Sequence, residues 1–412
     1  MENGGGCPRA TVPAGFKMTE VGAIPEDWEV RPLVALASIR TGIAKNSNVT
    51  VSNPVQVHYL RVANVQDGFL DLSEMSQIRI NRADIERYAV LPGDVLMNEG
   101  GDLDKLGRGA IWRGEFSPCV HQNHVFVVRC GANLSPGYLN FWTSGLHARR
   151  YFMLAGRQTT NLASISKTSL GQLPVALPST KSEQEAIAET LNDADALVES
   201  LEQLIAKKRL IKQGAMQELL TGKKRLPGFA GKWRVKRLGD VAEITMGQSP
   251  SSAYYNNKGD GLPLIQGNAD IFDRRTIKRV FTTEITKRGR CGDILMSVRA
   301  PVGEISRAIF DVCLGRGVCA IRSNIFLYHA LIANEPAWAK LSKGSTFDSV
   351  NSTDVKAFEI QMPTDEDEQT AIATILSDMD AELSVLECKL AKARQIKQGM
   401  MQELLTGRRR LV

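Results

Sequence analysis

The chain has 412 residues, of which 43% are hydrophobic and 23% are charged, and its formal net charge is +6. This composition is typical of an ordinary soluble globular protein with one to three domains. No apolar run approaches the ~20 residues of a membrane span, and the N-terminus lacks the apolar core of a signal peptide. We therefore expect a cytoplasmic protein and exclude a membrane-spanning one.

Cysteine and histidine usage gives no sign of a metal site. The seven cysteines are odd in number and form no CxxC motif, so neither disulfides nor zinc binding is expected. His121 and His124 lie in "VHQNHVFVVR", which alternates like a strand. We interpret both histidines as hydrogen-bonding groups in or beside a sheet, with metal binding as the minor alternative.

The first part of the chain divides into a tail and a globular unit. Residues 1–22 contain "MENGGGCPRATVPAGF" and are predicted to form a flexible tail. Residues 23–178 contain short alternating runs such as "HVFVVR", separated by Gly and Pro. Such runs predict a strand-rich α+β or α/β domain.

Residues 179–229 read as one long helix with its flanks. Ser182 is a good N-cap and forms a capping box with Glu185, and Gly222 stands where the helix would end. Apolar residues recur with a 4-3 spacing, which is the pattern of a coiled-coil seam. The seam residues are Ile187, Leu191, Val198, Leu201 and Ile205.

The same organisation then repeats. Residues 230–363 form a second strand-rich unit, and residues 364–412 a second long helix with Asp367 as its predicted N-cap. The equivalent seam residues are Ile372, Leu376, Leu383, Leu386 and Leu390. "IKQGAMQELLTG" (residues 211–222) and "IKQGMMQELLTG" (residues 396–407) agree at eleven of twelve positions. The helices are therefore conserved between the two halves of the chain, whereas the globular units share only scattered positions.

An internal repeat of this kind predicts a pseudo-twofold, antiparallel coiled coil, because two copies of one seam can bury each other. The alternative is two separate amphipathic helices, each packed on its own domain. Gly214 and Gly399 lie inside the helices at equivalent positions, where each costs about 1 kcal/mol relative to Ala. We attribute them to a close helix–helix approach or a local bend.

The basic charge is concentrated near the two helix ends. Residues 207–225 and residues 389–410 each contain seven Lys or Arg and one Glu, a local charge of +6. Two explanations remain open at this point. One is neutralisation of DNA phosphates, and the other is docking to acidic partner surfaces.

In these features the chain resembles the specificity subunit of Type I restriction–modification systems. The resemblance rests on "TEVGAIPEDWEV" (residues 19–30), "GDILMSVRAPVG" (residues 292–303), the "EQ" helix entries and the doubled "QELLTG". It implies two target recognition domains, each reading one half of a bipartite DNA site. It also implies helices that set the spacing between the half-sites and dock two methyltransferase subunits, which restriction–translocase subunits join.

The resemblance further implies that catalysis belongs to the partners. S-adenosylmethionine, ATP and Mg²⁺ are then expected in the partner subunits and no cofactor in this chain. The sequence agrees, because it contains neither a GxxxxGK[ST] phosphate loop nor the "[ND]PP[YF]" motif of adenine methyltransferases. Two alternatives remain open, namely a coiled-coil adaptor with two protein-binding heads and a specificity subunit of a methylation-only system.

DNA contacts are expected in the polar loops that differ between the two units, since Arg and Lys suit guanine, Asn and Gln suit adenine, and hydroxyls contact phosphates. The candidates of the first unit are Lys45, Asn46, Lys105, Arg108, Gln122, Asn123, Arg157, Gln158, Thr160 and Asn161. Those of the second unit are Gln248, Ser249, Tyr254, Tyr255, Arg299, Arg316, Lys343, Ser345, Thr346 and Asn351. For each of them the alternative is a solvated loop position.

Overall fold

The computed structural model describes residues 12–45, 53–103, 106–158, 162–342 and 349–411. The chain forms two compact units. The first consists of Met1–Leu201 together with Lys389–Val412, and the second of Glu202–Cys388. The first unit is therefore discontinuous in sequence, and the last residues of the chain complete it.

The first unit contains fourteen strands among the described residues. In chain order they are β1 (Phe16–Thr19), β2 (Gly22–Pro25), β3 (Glu29–Pro32), β4 (Ala37–Thr41), β5 (Pro54–Leu60), β6 (Ser76–Asn81), β7 (Val95–Asn98), β8 (Gly100–Gly101), β9 (Gly109–Ile111), β10 (Cys119–His121), β11 (Val125–Cys130), β12 (Arg157–Gln158), β13 (Ala163–Ser164) and β14 (Pro174–Leu177). The helices that accompany them are α1 (Ile85–Tyr88), α2 (Pro136–Ser144), α3 (Leu146–Ala155), α4 (Lys167–Gly171) and the first part of α5 (Lys181–Leu219). Because β1 pairs with β2, residues 16–22 are folded and do not belong to the predicted tail.

The second unit contains thirteen strands in the described part of the chain. They are β15 (Trp233–Arg237), β16 (Glu243–Met246), β17 (Tyr255–Asn256), β18 (Leu262–Ile265), β19 (Ile271–Phe272), β20 (Arg275–Thr276), β21 (Phe281–Thr282), β22 (Arg288–Gly289), β23 (Ile294–Ser297), β24 (Ile305–Arg307), β25 (Val312–Leu314), β26 (Val318–Arg322) and β27 (Glu359–Pro363). The helices are α6 (Leu238–Val241), α7 (Ile325–Ala333), α8 (Glu335–Ser342), α9 (Ser352–Ala357) and α10 (Glu366–Leu404), whose last part belongs to the first unit.

The sheets repeat the same connections in both units. An antiparallel sheet in the order β4-β11-β7-β9 corresponds to β16-β26-β23-β24. The parallel pair β5–β10 corresponds to β18–β25, and the closing pair β3–β14 corresponds to β15–β27. The faint sequence repeat of the globular units is therefore a repeat of topology. The prediction of a mixed helix and strand fold with two strand-rich domains is confirmed.

The central sheet of each unit is covered on both faces. In β11 the side chains of Phe126 and Val128 join one apolar core, while Val125 and Val127 join a second one on the opposite face. A strand buried on both faces reads as a continuous apolar run rather than an alternating one. This burial explains the runs "VFVV" and "ILM", which lie at the centre of the two sheets.

The long helices α5 and α10 take part in both domain cores. The core of the first unit includes Ile187 and Leu191 near the start of α5 and Leu404 at the end of α10. The core of the second unit includes Leu219 at the end of α5 and Ile372 near the start of α10. Each domain is thus packed on the first turns of one long helix and the last turns of the other.

Candidate functional site

Charged residues link the two long helices inside each unit. In the first unit Lys397 of α10 pairs with Asp195 of α5, and in the second Lys212 of α5 pairs with Asp380 of α10. The two lysines occupy equivalent positions of the repeat, as do the two aspartates. Each pair joins the late part of one helix to the early part of the other, which is the arrangement of an antiparallel coiled coil.

The predicted seam residues of these helices are mostly buried. The buried ones are Ile187, Leu191, Ile205, Ile372, Leu376, Leu383 and Leu386, and the half-buried ones are Val198, Leu201 and Leu390.

The helices begin earlier than the predicted N-caps, at Lys181 and Glu366. Thr180 accepts a hydrogen bond from the Glu183 amide and Asp365 from the Asp367 amide, so these two residues, rather than Ser182 and Asp367, cap the helices.

The basic segments that follow the long helices turn back onto the protein. The guanidinium of Arg225 donates to both carboxylate oxygens of Glu368, at 2.6 and 2.7 Å. At the equivalent place Arg410 bonds Glu183 and also donates to Asp27, at 3.0 Å. Both glutamates are buried. The last arginine of each basic cluster is therefore an internal contact, as are Lys212 and Lys397 of the same clusters. The clusters thus offer fewer unpaired cations to DNA or a partner than their sequence charge suggests.

Each of these arginines also lies over a buried or half-buried tryptophan. The Arg410 guanidinium is 5.8 Å from the Trp28 ring, and that of Arg225 is 6.0 Å from the Trp233 ring. The hydrogen bonds from Arg410, followed by one from Ser179, lower the pKa of the Asp27 carboxyl. The second unit has Lys232 at the position of Asp27, so Arg225 lacks this second carboxylate.

The glutamine of each "EQ" entry fastens a long helix to its domain. Gln184 accepts a hydrogen bond from the amide of Ser135, the N-cap of α2, at 2.9 Å. At the equivalent place Gln369 accepts from the side chain of Asn324, the N-cap of α7, at 2.6 Å. The "EQ" motifs and the arginines Arg225 and Arg410 thus form one repeated frame that joins domain to helix.

The interior glycines of the long helices do not mark a close approach of the two helices. At Gly214 and Gly399 an added Cβ would meet no atom within 4 Å beyond the local helix backbone, among the residues that the structure describes. The close approach of the two long helices that was predicted at these positions is therefore wrong. Their conformation is helical, so a positive φ does not explain them either.

The structure describes six of the ten DNA-contacting candidates of the first unit. Lys45, Arg157 and Gln158 are exposed, and Arg108, Gln122 and Asn123 are half-buried. Asn46, Lys105, Thr160 and Asn161 lie outside the described residues. Gln122 and Asn123 follow β10. Next to them in the chain, His124 bonds the carboxylate of Glu99 at the end of β7, at 2.6 Å. The Arg108 carbonyl accepts from the Asn98 amide at the same end.

In the second unit, three of the candidates converge on one polar cleft. Ser249, Arg299 and Arg316 line a cleft of about 170 Å³. Two hydrogen bonds hold its walls together, since the Arg316 amide donates to Ser249 Oγ at 3.1 Å and the Val298 amide donates to the Gly317 carbonyl at 2.9 Å. Both arginines are exposed, and the described residues that line the cleft include no carboxylate. This arrangement favours an electron-rich ligand.

Two further residues of this cleft were missed by the sequence analysis. Gln266 donates to the Tyr255 hydroxyl at 3.0 Å, and Asn268 lines the cleft beside it. Both lie in "LIQGN" (residues 264–268), which aligns with "LRVAN" (residues 60–64) of the first unit. In the first unit Asn64 does serve the framework, because its amide donates to the carbonyls of Asp71 and Glu74.

The remaining candidates of the second unit are dispersed. Gln248 and Tyr254 are exposed. The Asn351 carboxamide caps α9 by accepting from the amides of Thr353 and Asp354. Lys343, Ser345 and Thr346 lie outside the described residues.

Three cysteines and His121 have the environments of core residues, whereas Cys291 and Cys388 are exposed. Burial raises the pKa of Cys119, Cys130 and Cys319 to about 12. His121 is buried, its Nδ1 lies 2.6 Å from the Val125 carbonyl, and burial lowers its pKa. No group of three or more metal-ligating side chains occurs in the described parts of the chain. Likewise, none of the described helices is long and apolar enough to cross a membrane.

The amino-acid sequence of this chain is similar to those of known proteins. A family model for the Type I restriction modification DNA specificity domain matches residues 230–393. The putative type I restriction enzyme MjaX specificity subunit of Methanocaldococcus jannaschii is 31% identical over 417 residues, covering 96% of this chain and 97% of that protein.

Two solved structures show the same fold at low sequence identity. One, from work on complex assembly and conformational transition of the type I R-M system, has a TM-score of 0.59 at 22% identity and covers 93% of this chain and 99% of that one. The Type I restriction–modification S subunit of M. genitalium has a TM-score of 0.63 at 15% identity, with coverage of 96% and 99%.

Proposed function

The chain belongs to the DNA specificity subunits of Type I restriction–modification systems, and on this premise we propose that its two globular domains read different halves of one bipartite, asymmetric DNA target. The long helices set the spacing of the half-sites and dock two methyltransferase subunits, with which restriction subunits associate. Methylation and cleavage, with S-adenosylmethionine, ATP and Mg²⁺, belong to those partners. This chain supplies recognition and assembly.

One observation carries the proposal of two different half-sites. The arginine–glutamate and glutamine–N-cap contacts that join domain to helix recur in both units, whereas the polar loop ends differ. In the first unit Glu99 follows β7 and bonds His124. In the second unit Arg299 follows β23 and faces the cleft with Arg316. A carboxylate suits cytosine N4, and an arginine suits guanine O6 and N7. Two domains with such different donor and acceptor sets select different base pairs.

A domain exchange tests this proposal. Residues 23–178 are replaced by the corresponding domain of a homologue with a different target, while Asp27, Trp28 and Ser135 are kept so that the frame contacts survive. Single-molecule sequencing of methylated adenines, in cells that also express the methyltransferase, should show one changed half-site and one unchanged half-site. A change in both halves would contradict separate reading by the two domains.

A single substitution tests the cleft itself. Arg316→Ala should relax the preference at one position of the second half-site by roughly 5- to 150-fold, since a bidentate base contact contributes about 1–3 kcal/mol of discrimination. Arg288→Ala is the matched control, because Arg288 lies in the same domain but pairs with Asp311. A methylation motif that is unchanged by Arg316→Ala would remove this cleft from base reading.

A further inference from the structure

The two units carry the same tight turn between two strands at equivalent places. In the first unit the turn joins β10 to β11, and the Val125 amide donates to the Gln122 carbonyl at 2.9 Å. In the second unit it joins β25 to β26, and the Val318 amide donates to the Gly315 carbonyl at 3.2 Å. The backbone of this turn therefore recurs, and we call the two copies the matched turns.

The side chains at the second position of the matched turns differ. Asn123 occupies this position in the first unit and Arg316 in the second. Both follow a strand that belongs to a parallel pair, and Arg316 lines the polar cleft described above. One domain thus has a carboxamide where the other has a guanidinium. In the major groove of DNA, Arg suits guanine and Asn suits adenine.

In the first unit a chain of two hydrogen bonds holds Asn123. Its Nδ2 lies 3.1 Å from His124 Nε2, and the other ring nitrogen, Nδ1, lies 2.6 Å from a carboxylate oxygen of Glu99. The backbone of Glu99 is fixed at both ends, because its amide donates to the His124 carbonyl and its carbonyl accepts from the Ile165 amide. The chain of bonds therefore connects Asn123 to an anchored carboxylate.

Donor and acceptor rules fix the direction of both bonds in this chain. A carboxylate only accepts, so His124 Nδ1 carries the hydrogen that is donated to Glu99. The Asn123 amide nitrogen only donates, so His124 Nε2 must be the acceptor. Both bonds thus require the same tautomer of His124. They hold the Asn123 carboxamide in one of its two orientations, with its oxygen and its second N–H left for a ligand.

We propose that Asn123 reads an adenine of the first half-site, and that Glu99 and His124 are positioning residues that hold its carboxamide in the orientation that adenine requires. This inference rests on the proposed function and assigns one base to one side chain. Adenine presents the N7 acceptor beside the N6 amino donor, and the free N–H and oxygen of Asn123 match both. Guanine presents two acceptors, N7 and O6, so the held carboxamide does not suit it.

The second unit has an arginine at this place and lacks the positioning residues. Its turn has Gly317 where the first unit has His124. Val298 takes the place of Glu99, since its amide donates to the Gly317 carbonyl at 2.9 Å. A guanidinium carries only donors and suits guanine without a neighbour that selects its orientation. The histidine and the carboxylate therefore occur in the unit that has an orientation to select.

The test determines the methylation motif of variant chains by single-molecule sequencing of methylated adenines, in cells that also express the methyltransferase. Asn123→Ala should lower the preference for adenine at one position of the first half-site by roughly 5- to 150-fold. His124→Phe and Glu99→Leu should relax the same position from adenine to adenine or guanine, because a carboxamide that turns freely also donates to guanine. Glu99→Gln should keep the wild-type motif, because its side-chain oxygen still accepts from His124.

The matched control is Asn53→Ala. Asn53 is an exposed asparagine that precedes β5, whereas the matched turn of the first unit adjoins Leu60 at the other end of that strand. This variant should leave the motif unchanged.

Three outcomes would overturn the inference. The first is an unchanged motif in Asn123→Ala. The second is that Glu99→Leu alters a different position from Asn123→Ala, because Glu99 would then read a base of its own. The third is a general loss of methylation in His124→Phe with an unchanged motif at the remaining sites, which would mean that these residues serve folding. A wild-type motif without two separate half-sites would instead contradict the proposed function, so the two failures are distinguishable.

Discussion

The two units of this protein share their frame and differ in their polar loop ends. In both, an arginine beyond the end of one long helix reaches a buried glutamate in the first turn of the other, over a tryptophan of the domain. In both, a glutamine fastens the helix to the N-cap of a domain helix. The loop ends show no such agreement. The contacts that fix the domains on the helices are thus kept apart from the residues proposed to read DNA, and the latter can change without loss of the fold.

The two units also differ at two buried places, one within this frame and one beside it. Arg410 of the first unit has two carboxylate partners, Glu183 and Asp27, whereas Arg225 of the second has one, Glu368. The second difference is on the domain helices, where His329 of α7 occupies the place of Asn140 in α2, counted from the N-caps. Both side chains are buried. These differences predict where the two units respond unequally to substitution or to pH.

The largest expected effect is on the arginine–glutamate pair. Glu368→Ala should lower the free energy of unfolding by about 3 kcal/mol, because it leaves Arg225 without its carboxylate. This value is at the lower end of the range for a broken buried pair, since the Arg225 side chain is 29% exposed. Glu183→Ala should have a smaller effect, because Arg410 keeps Asp27. Urea unfolding of both variants gives the comparison, and equal losses would show that Asp27 contributes nothing.

The buried histidine should make the second unit sensitive to acid. Burial lowers the pKa of His329 to about 4, against 6.5 for an unburied histidine. As the pH falls, the unfolded chain takes up the proton first, so the contribution of His329 is complete above pH 6.5 and is lost between pH 6.5 and 4. The loss is about 3 kcal/mol.

The matched variant for this prediction is His329→Asn, which places the residue of the first unit in the second. The difference in unfolding free energy between wild type and variant should change with pH across that window. A difference that stays constant from pH 7 to pH 4 would mean that His329 remains neutral in both states or is protonated in both.

The smallest effect concerns the glycines that end the long helices. Gly222 and Gly407 both have a φ of +68°, where any other residue costs about 1–2 kcal/mol. A Cβ at Gly407 would lie 2.4 Å from Pro25, and one at Gly222 would lie 3.1 Å from Trp233. Gly407→Ala should therefore destabilise the protein by about 2–3 kcal/mol and Gly222→Ala by about 1–2 kcal/mol. Urea titration measures both, and the reverse order would show that Pro25 moves more freely than Trp233.

Much of the architecture follows from local and repeated patterns. The 4-3 spacing from Ile187 to Ile205 identifies a seam because side chains three and four residues apart share a helix face. The ends of the helices at Gly222 and Gly407 follow from the left-handed backbone conformation, which only glycine adopts without strain. The predicted capping residues lie two positions too far along the chain. Thr180 and Ser182 are each followed by a glutamate three residues later, so both fit the capping-box pattern. The hydrogen bond that Thr180 accepts from the Glu183 amide decides between them.

The sequence by itself determined the internal repeat, the two long helices, the alternation of domain and helix, and the family, since each of these depends on periodicity or on matched segments. Only the tertiary structure decided what the matched residues contact. It showed that Arg225 and Arg410 bond buried glutamates. It also showed that Gly214 and Gly399 do not contact another described helix, and that Gln266 lines the same cleft as Arg316. The physical reason is that these relations join residues 50 to 227 positions apart, and chain connectivity carries no record of which distant side chains meet.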